Sequence, residues 1–159
     1  MFMGIEYSKD LSEAYTQLSD QLNLLLDGEP NRIANLSNAS ALLSNFLDRT
    51  NWTGFYLMEE GELVLGPFQG LPACIRIAVG KGVCGTAAEK QETIVVEDVN
   101  AFPGHIACDA ASQSEIVVPL VKDGQLIGVL DIDSPETGRF SDEDRAGIEK
   151  FAATLLRHL

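Results

Sequence analysis

From Leu11 to Arg49 the apolar residues recur at helical spacing, and after Asn51 the commoner spacing is two. Leu11, Tyr15, Leu18, Leu22 and Leu25 mark one face of a first helix, which Asp27-Gly28-Glu29-Pro30 ends with turn residues. After Pro30 a second helix carries Ile33, Leu36, Leu43 and Phe46 along one stripe, with Ala39 allowing close packing, and is expected to stop near Arg49. Trp52-Thr53-Gly54-Phe55-Tyr56-Leu57 and Glu62-Leu63-Val64-Leu65 flank Glu59-Glu60-Gly61, the pattern of a hairpin. Ile75 to Val79 and Thr93 to Val96 read as further strands. Between them Gly80-Lys81-Gly82-Val83-Cys84-Gly85 leads into a short helix through Lys90. Asn100 to Ser114 has no period and is expected to be a long loop, a class of segment that often carries function. Glu115 to Val121 and Gln125 to Asp133 flank Lys122-Asp123-Gly124, whose Asp-Gly pair signals a second hairpin. Ser141 opens a last helix, with Asp142, Glu143 and Asp144 suited to the helix dipole and Ile148, Phe151, Ala152 and Leu155 as its core stripe. No repeat, linker or low-complexity segment interrupts the chain. The elements predict one α+β domain over residues 1–159, with helices from both ends covering a mainly antiparallel sheet of about six strands.

Composition narrows the partners. A chain of 159 residues that is 45% hydrophobic can bury one substantial core. A net charge of −13 disfavours a nucleic acid or an anionic membrane surface, because phosphates would be repelled and no Lys/Arg cluster offers local relief. No apolar run reaches membrane-spanning length. Met1-Phe2-Met3-Gly4-Ile5-Glu6 lacks the basic and apolar regions of a secretory signal, and Gly4 is misplaced for myristoylation. A cytoplasmic protein is expected, with cysteines that stay reduced unless they cycle.

Polar residues interrupt the strand pattern at one place. Alternation puts Ile127, Val129, Asp131 and Asp133 on one face of the last strand. A strand running out into solvent is the commoner explanation; if the face is buried, each carboxylate needs a donor, a cation or a proton. Glu115, on the hairpin partner, brings a third carboxylate nearby. Trp52 and Tyr56 share a face with Gly54 between them, which leaves room for a small molecule against two aromatic walls, although ordinary core packing would produce the same spacing. Aromatic walls beside acids suit a cationic amino group.

Cys74, Cys84 and Cys108 form no C-x-x-C pair, and His105 and His158 are the sole histidines, so no metal site is expected. Cys84, within Val83-Cys84-Gly85-Thr86-Ala87, reads as a buried inert thiol. Cys108 lies in the polar loop, where a cysteine can act as a nucleophile and pass from sulfenic acid to a disulfide with a second thiol. His105, three residues earlier, invites a Cys-His protease reading, but no cysteine-protease signature surrounds it. Gly80-Lys81-Gly82 is no phosphate loop, since Ile75 stands where the first glycine is required and Gly82 replaces the Ser/Thr.

Taken together, Asn51-Trp52-Thr53-Gly54-Phe55-Tyr56, Gly82-Val83-Cys84-Gly85, Cys108-Asp109, Ser114-Glu115-Ile116-Val117-Val118-Pro119 and Gly128-Val129-Leu130-Asp131-Ile132-Asp133-Ser134 resemble the free methionine-(R)-sulfoxide reductases, which are built on a GAF domain. The resemblance covers nearly the whole chain, is strongest from Asn51 to Phe140, and includes all three cysteines. It implies a GAF-like fold, no bound cofactor, Cys108 as nucleophile, and Cys74 (favoured) or Cys84 as the thiol that closes the disulfide, with thioredoxin as external reductant. Trp52 and Tyr56 would hold the methyl end of free methionine (R)-sulfoxide, while Glu115, Asp131 and Asp133 would bind its polar groups. Reduction needs the sulfoxide oxygen protonated. Clustered carboxylates raise one another's pKa, which makes Glu115 or Asp133 the expected donor. The same field disfavours the Cys108 thiolate, so the substrate's ammonium group is expected to offset it on binding. A non-catalytic GAF sensor of a small molecule or of redox state is the alternative on this fold. A homodimer through the first two helices is a further expectation.

Overall fold

Two capped helices lead the chain in the computed structural model, which describes residues 2–106 and 108–159. α1 (Leu11–Leu26) starts behind Asp10, whose carboxylate accepts from the Glu13 N–H, and α2 (Arg32–Phe46) behind Asn31, which accepts from the Ala34 N–H. α2 presents Leu36, Ala39, Leu42 and Leu43 inward, whereas Ile33, expected in that stripe, is 69% exposed. Asn35 faces inward in its first turn instead, donating through Nδ2 to the carbonyls of Glu29 and His158. This ties the helix start to the end of the chain. The helix stops at Phe46, short of Arg49, which takes a positive φ of 53°.

The sheet follows: β1 (Trp52–Glu59), β2 (Glu62–Gly70), β3 (Arg76–Ala78), β4 (Ile94–Val96), β5 (Ser114–Lys122) and β6 (Gln125–Ser134). Their order is β3-β2-β1-β6-β5-β4, and every neighbouring pair is antiparallel. α3 (Gly82–Lys90) lies between β3 and β4, a 3-10 turn (Val99–Ala101) follows β4, and α4 (Asp142–Leu156) closes the chain behind a Ser141–Asp144 capping box. The architecture is the α+β one that the pattern predicts and the GAF-like one that the resemblance implies. β2 runs past Leu65 to Gly70 because a bulge opposite Phe55 absorbs Gly66 and Pro67, residues that break the alternation without ending the pairing.

The sheet separates two apolar clusters. Phe55, Ile116, Val118, Leu120, Leu130 and Ile132 face α1, α2 and α4. Trp52, Tyr56, Val117 and Val129 face the other way, against Val83, Cys84, Ala87 and Ala88 of α3. Ile127 does not share the face of Val129. An irregularity in the β5–β6 register at Leu120/Val121 leaves Ile127 without an opposite residue, so it packs with the helical cluster and Leu126 with the other. Among the described residues, no helix is long and apolar enough to cross a membrane.

Candidate active site

Strand register assembles the site. Glu115, near the start of β5, lies opposite Asp133 of β6; Asp133 in turn lies opposite Trp52 of β1, and Asp131 opposite Gly54. Three acids and an aromatic wall thus meet at one end of the sheet, on the face covered by α3. The face is not a strand end running into solvent: Glu115 and Asp131 are each 5% exposed and Asp133 is half-buried.

Trp52 and Tyr56 stack with centroids 5.8 Å apart, and Phe68 stacks on the Trp52 ring at 5.1 Å. Gly54 does not leave space for a ligand. A side chain there would overlap Phe68 Cβ, so the missing Cβ admits the neighbouring strand and its aromatic ring. Beyond the aromatic pair lies a recess of about 520 Å³ of empty volume, part of it open to solvent at the mouth. Trp52, Tyr56, Cys84, Cys108, Glu115, Asp131 and Asp133 all line it.

Two loops form its rim. The segment after β2 is tied down by the Tyr56 hydroxyl, which donates to the Cys74 carbonyl at 2.9 Å, and by Trp52 Nε1, which donates to the Leu71 carbonyl at 3.2 Å. The loop after β4 is held by Asn51, whose Nδ2 donates to Asp109 Oδ2 at 2.9 Å and Ser112 Oγ at 3.2 Å. A Cys74–Cys108 disulfide with a Cα–Cα distance of 5.5 Å joins the two loops. Among the described residues Cys84 is the free cysteine, buried, with Sγ 3.8 Å from Glu115 Oε1.

Burial raises the Glu115 pKa well above the ordinary carboxyl range, and the charges of Asp131 and Asp133 raise it further. Asp133 is raised by burial and then by Asp131 and Asp109. Asp131 is raised by burial too, but hydrogen bonding with Glu115 and Cys84 opposes the rise. One of its oxygens, Oδ1, is buried without a partner. Three carboxyls in such a site cannot all ionise near neutrality, so the cluster holds at least one proton. The Cys84 thiol is pushed up by burial and by the same acids and stays protonated. His105 Nε2 sits 4.0 Å from Glu115 Oε2, and burial lowers its pKa, which favours the neutral imidazole.

Cys84 Sγ and one oxygen each from Glu115 and Asp131 lie within 4.8 Å of one another. The three could contact a cation but fall short of the four ligands of a structural zinc site. Every site residue named from the sequence borders this recess or, for Cys74, closes its rim. Sequence reasoning assigned no role to Asn51, Ser112, Leu71 or His105 as neighbours of the site. Asn51 and Ser112 are joined only by the path of a loop, which leaves no periodic signal.

A GAF domain family model matches residues 18–159. The free methionine-R-sulfoxide reductase of Escherichia coli is 56% identical over 144 residues, covering 91% of this chain and 87% of that protein. The structure of Staphylococcus aureus fRMsr in its reduced form superposes with a TM-score of 0.89 at 52% identity, covering 99% of each chain. The free methionine-R-sulfoxide reductase of Neisseria meningitidis, solved in complex with its substrate, gives a TM-score of 0.92 at 42% identity, covering 99% of this chain and 95% of that one.

Proposed function

The chain belongs to the GAF-domain free methionine-R-sulfoxide reductase family, and from that premise we propose that it reduces free L-methionine (R)-S-oxide to methionine, with Cys108 as nucleophile and Cys74 as resolving thiol. The observation that carries this reading is the Cys74–Cys108 disulfide at the rim of a recess lined by Glu115, Asp131 and Asp133, whose carboxyl pKa values burial raises.

In the reduced protein the Cys108 thiolate attacks the sulfoxide sulfur. Glu115 or Asp133 protonates the oxygen, which would otherwise leave as a strongly basic group. The protonated oxygen shifts to the Cys108 sulfur as the bond between that sulfur and the methionine sulfur breaks, leaving a Cys108 sulfenic acid and free methionine. The Cys74 thiol then attacks the Cys108 sulfur, releasing water and forming the disulfide. Two electrons from reduced thioredoxin restore both thiols. Cys84 supports this assignment by its position, buried among acids that keep it protonated and outside the disulfide. Trp52 and Tyr56 pack against the methyl end of the substrate, and Asp131, with its unpartnered Oδ1, accepts from the ammonium group. That ammonium offsets the negative field, so the Cys108 thiolate forms mainly in the complex.

The test is a thioredoxin-coupled assay on the separated R and S sulfoxides of free methionine and on a peptide-bound sulfoxide. Turnover of the free R form alone is expected, and Cys108→Ser should abolish it. Full activity in Cys108→Ser would overturn the mechanism.

A further inference from the structure

Past the second helix, the exposed large apolar side chains among the described residues are Leu71, Ile75, Val79 and Ile106, all within five residues of a disulfide cysteine in the chain. Leu71 is 65% exposed and Ile75 is 69% exposed, three residues before and one after Cys74; Ile106, two residues before Cys108, is 39% exposed. Ile106 leans over Gly82 at the mouth of the recess, while the backbone carbonyl of Leu71 is held by Trp52, so both ends of this collar are fixed. The charge pattern singles out the same surface. A chain with 24 acidic residues has none from Gly66 to Ala88, a stretch that carries exposed Arg76 and Lys81, and none from Val99 to Cys108. Arg76 is paired with Glu62 at 2.6 Å, which leaves the collar close to neutral rather than strongly basic. A negatively charged protein would be repelled elsewhere on this surface and can approach here.

We propose that the apolar collar around Cys74–Cys108 is the docking surface for an acidic protein dithiol reductant of the thioredoxin type, which attacks the Cys74 sulfur. This deepens, and rests on, the catalytic cycle proposed above. Cys108 lines the recess and Cys74 does not, so an outside thiolate reaches Cys74 without entering the substrate site. Its attack forms a mixed disulfide on Cys74 and expels the Cys108 sulfur, which takes up a proton from the carboxyl cluster of the recess. The partner's second thiol then breaks the mixed disulfide and frees Cys74, so that one dithiol is oxidised for each disulfide reduced. Apolar contact supplies the short-range attraction, and the encounter is eased because Glu62 is paired with Arg76 and Asp109 accepts from Asn51.

The test follows reduction of the disulfide form by alkylation and mass shift, with no sulfoxide present. Leu71→Ser with Ile75→Ser is expected to lower the second-order rate constant with thioredoxin by about tenfold while the rate with dithiothreitol stays within about twofold. Arg76→Gln is expected to cost several-fold with thioredoxin at low ionic strength, fading as salt is added. A thioredoxin whose second cysteine is replaced by serine should be trapped on Cys74. An unchanged thioredoxin rate in the double variant, equal losses with both reductants, or an adduct on Cys108 would overturn the proposal. Failure to turn over methionine sulfoxide would count against the proposed function alone, since this measurement does not use it.

Discussion

Burial pushes the carboxyls of Glu115, Asp131 and Asp133 above their ordinary range. A raised folded-state pKa means that the folded protein binds more protons than the unfolded chain. The contribution of these three carboxyls to stability is therefore fullest below the unfolded carboxyl value near ~4 and is lost as pH rises through their folded values. Glu115→Gln, which keeps the shape and removes one ionisable group, should raise the melting temperature of the substrate-free protein at neutral pH. The same change should lower kcat by about 10²-fold or more if Glu115 donates the proton, and should remove the decline in activity as alkaline pH deprotonates the acid. A thermal melt and a pH–rate profile of the one variant check both. A lower melting temperature at neutral pH would show that this carboxyl is satisfied rather than repelled.

Between elements, the helical side of the sheet is held by a clamp of different character. Tyr15 of α1 donates to Asp144 Oδ1 at 2.7 Å, while Arg139 Nη1 donates to Asp144 Oδ2 at 3.0 Å. Burial would raise the Asp144 pKa, but hydrogen bonds from the Ser141 backbone, Tyr15 and the Ser141 hydroxyl, with the Arg139 charge, outweigh it and hold the carboxyl below its usual range. α1 and α4 approach closely because Gly147 lies against the Tyr15 ring, where a Cβ would overlap the ring carbons. Gly147→Ala is expected to cost about 1–3 kcal/mol by forcing the helices apart. Since this clamp lies across the sheet from the recess, kcat at temperatures well below the melt should be retained. Urea titration read beside activity separates the two effects.

Over the whole molecule, the disulfide is the longest-range covalent constraint that changes during the proposed cycle. Its cysteines are 34 residues apart in sequence. Cross-linking a loop of that size restricts the unfolded chain by up to ~4 kcal/mol, so the oxidised form should unfold at higher denaturant concentration than the reduced form. Chemical denaturation with and without dithiothreitol measures the difference, and Cys74→Ser should match the reduced protein under both conditions. Equal midpoints for oxidised and reduced protein would mean that the reduced unfolded chain already restrains these loops, or that the native disulfide is strained.

Much of this architecture is legible in sequence because local patterns are repeated and mutually consistent. Helical spacing marks α1, and the Asp-Gly turn pairs β5 with β6. The hairpin brings Glu115 to the strand beside the acids of β6, but an unbroken register from the turn would set it opposite Ile132; the irregularity at Ile127 sets it opposite Asp133. Alternation fails where the chain makes an exception of one or two residues: the bulge at Gly66 and Pro67, and unopposed Ile127. Ile33 fails because a stripe of apolar residues does not say which end of a helix has a neighbour to cover it. The residues themselves thus determined most of the elements and their class. Only the tertiary structure decided that the acids are buried rather than solvated, that Phe68 rather than a ligand fills the space at Gly54, and that Cys74 meets Cys108 while Cys84 does not. The physical reason is that burial and thiol pairing depend on distances across the fold, and loops between β2 and β3 and after β4 set those distances without any periodic trace in the sequence.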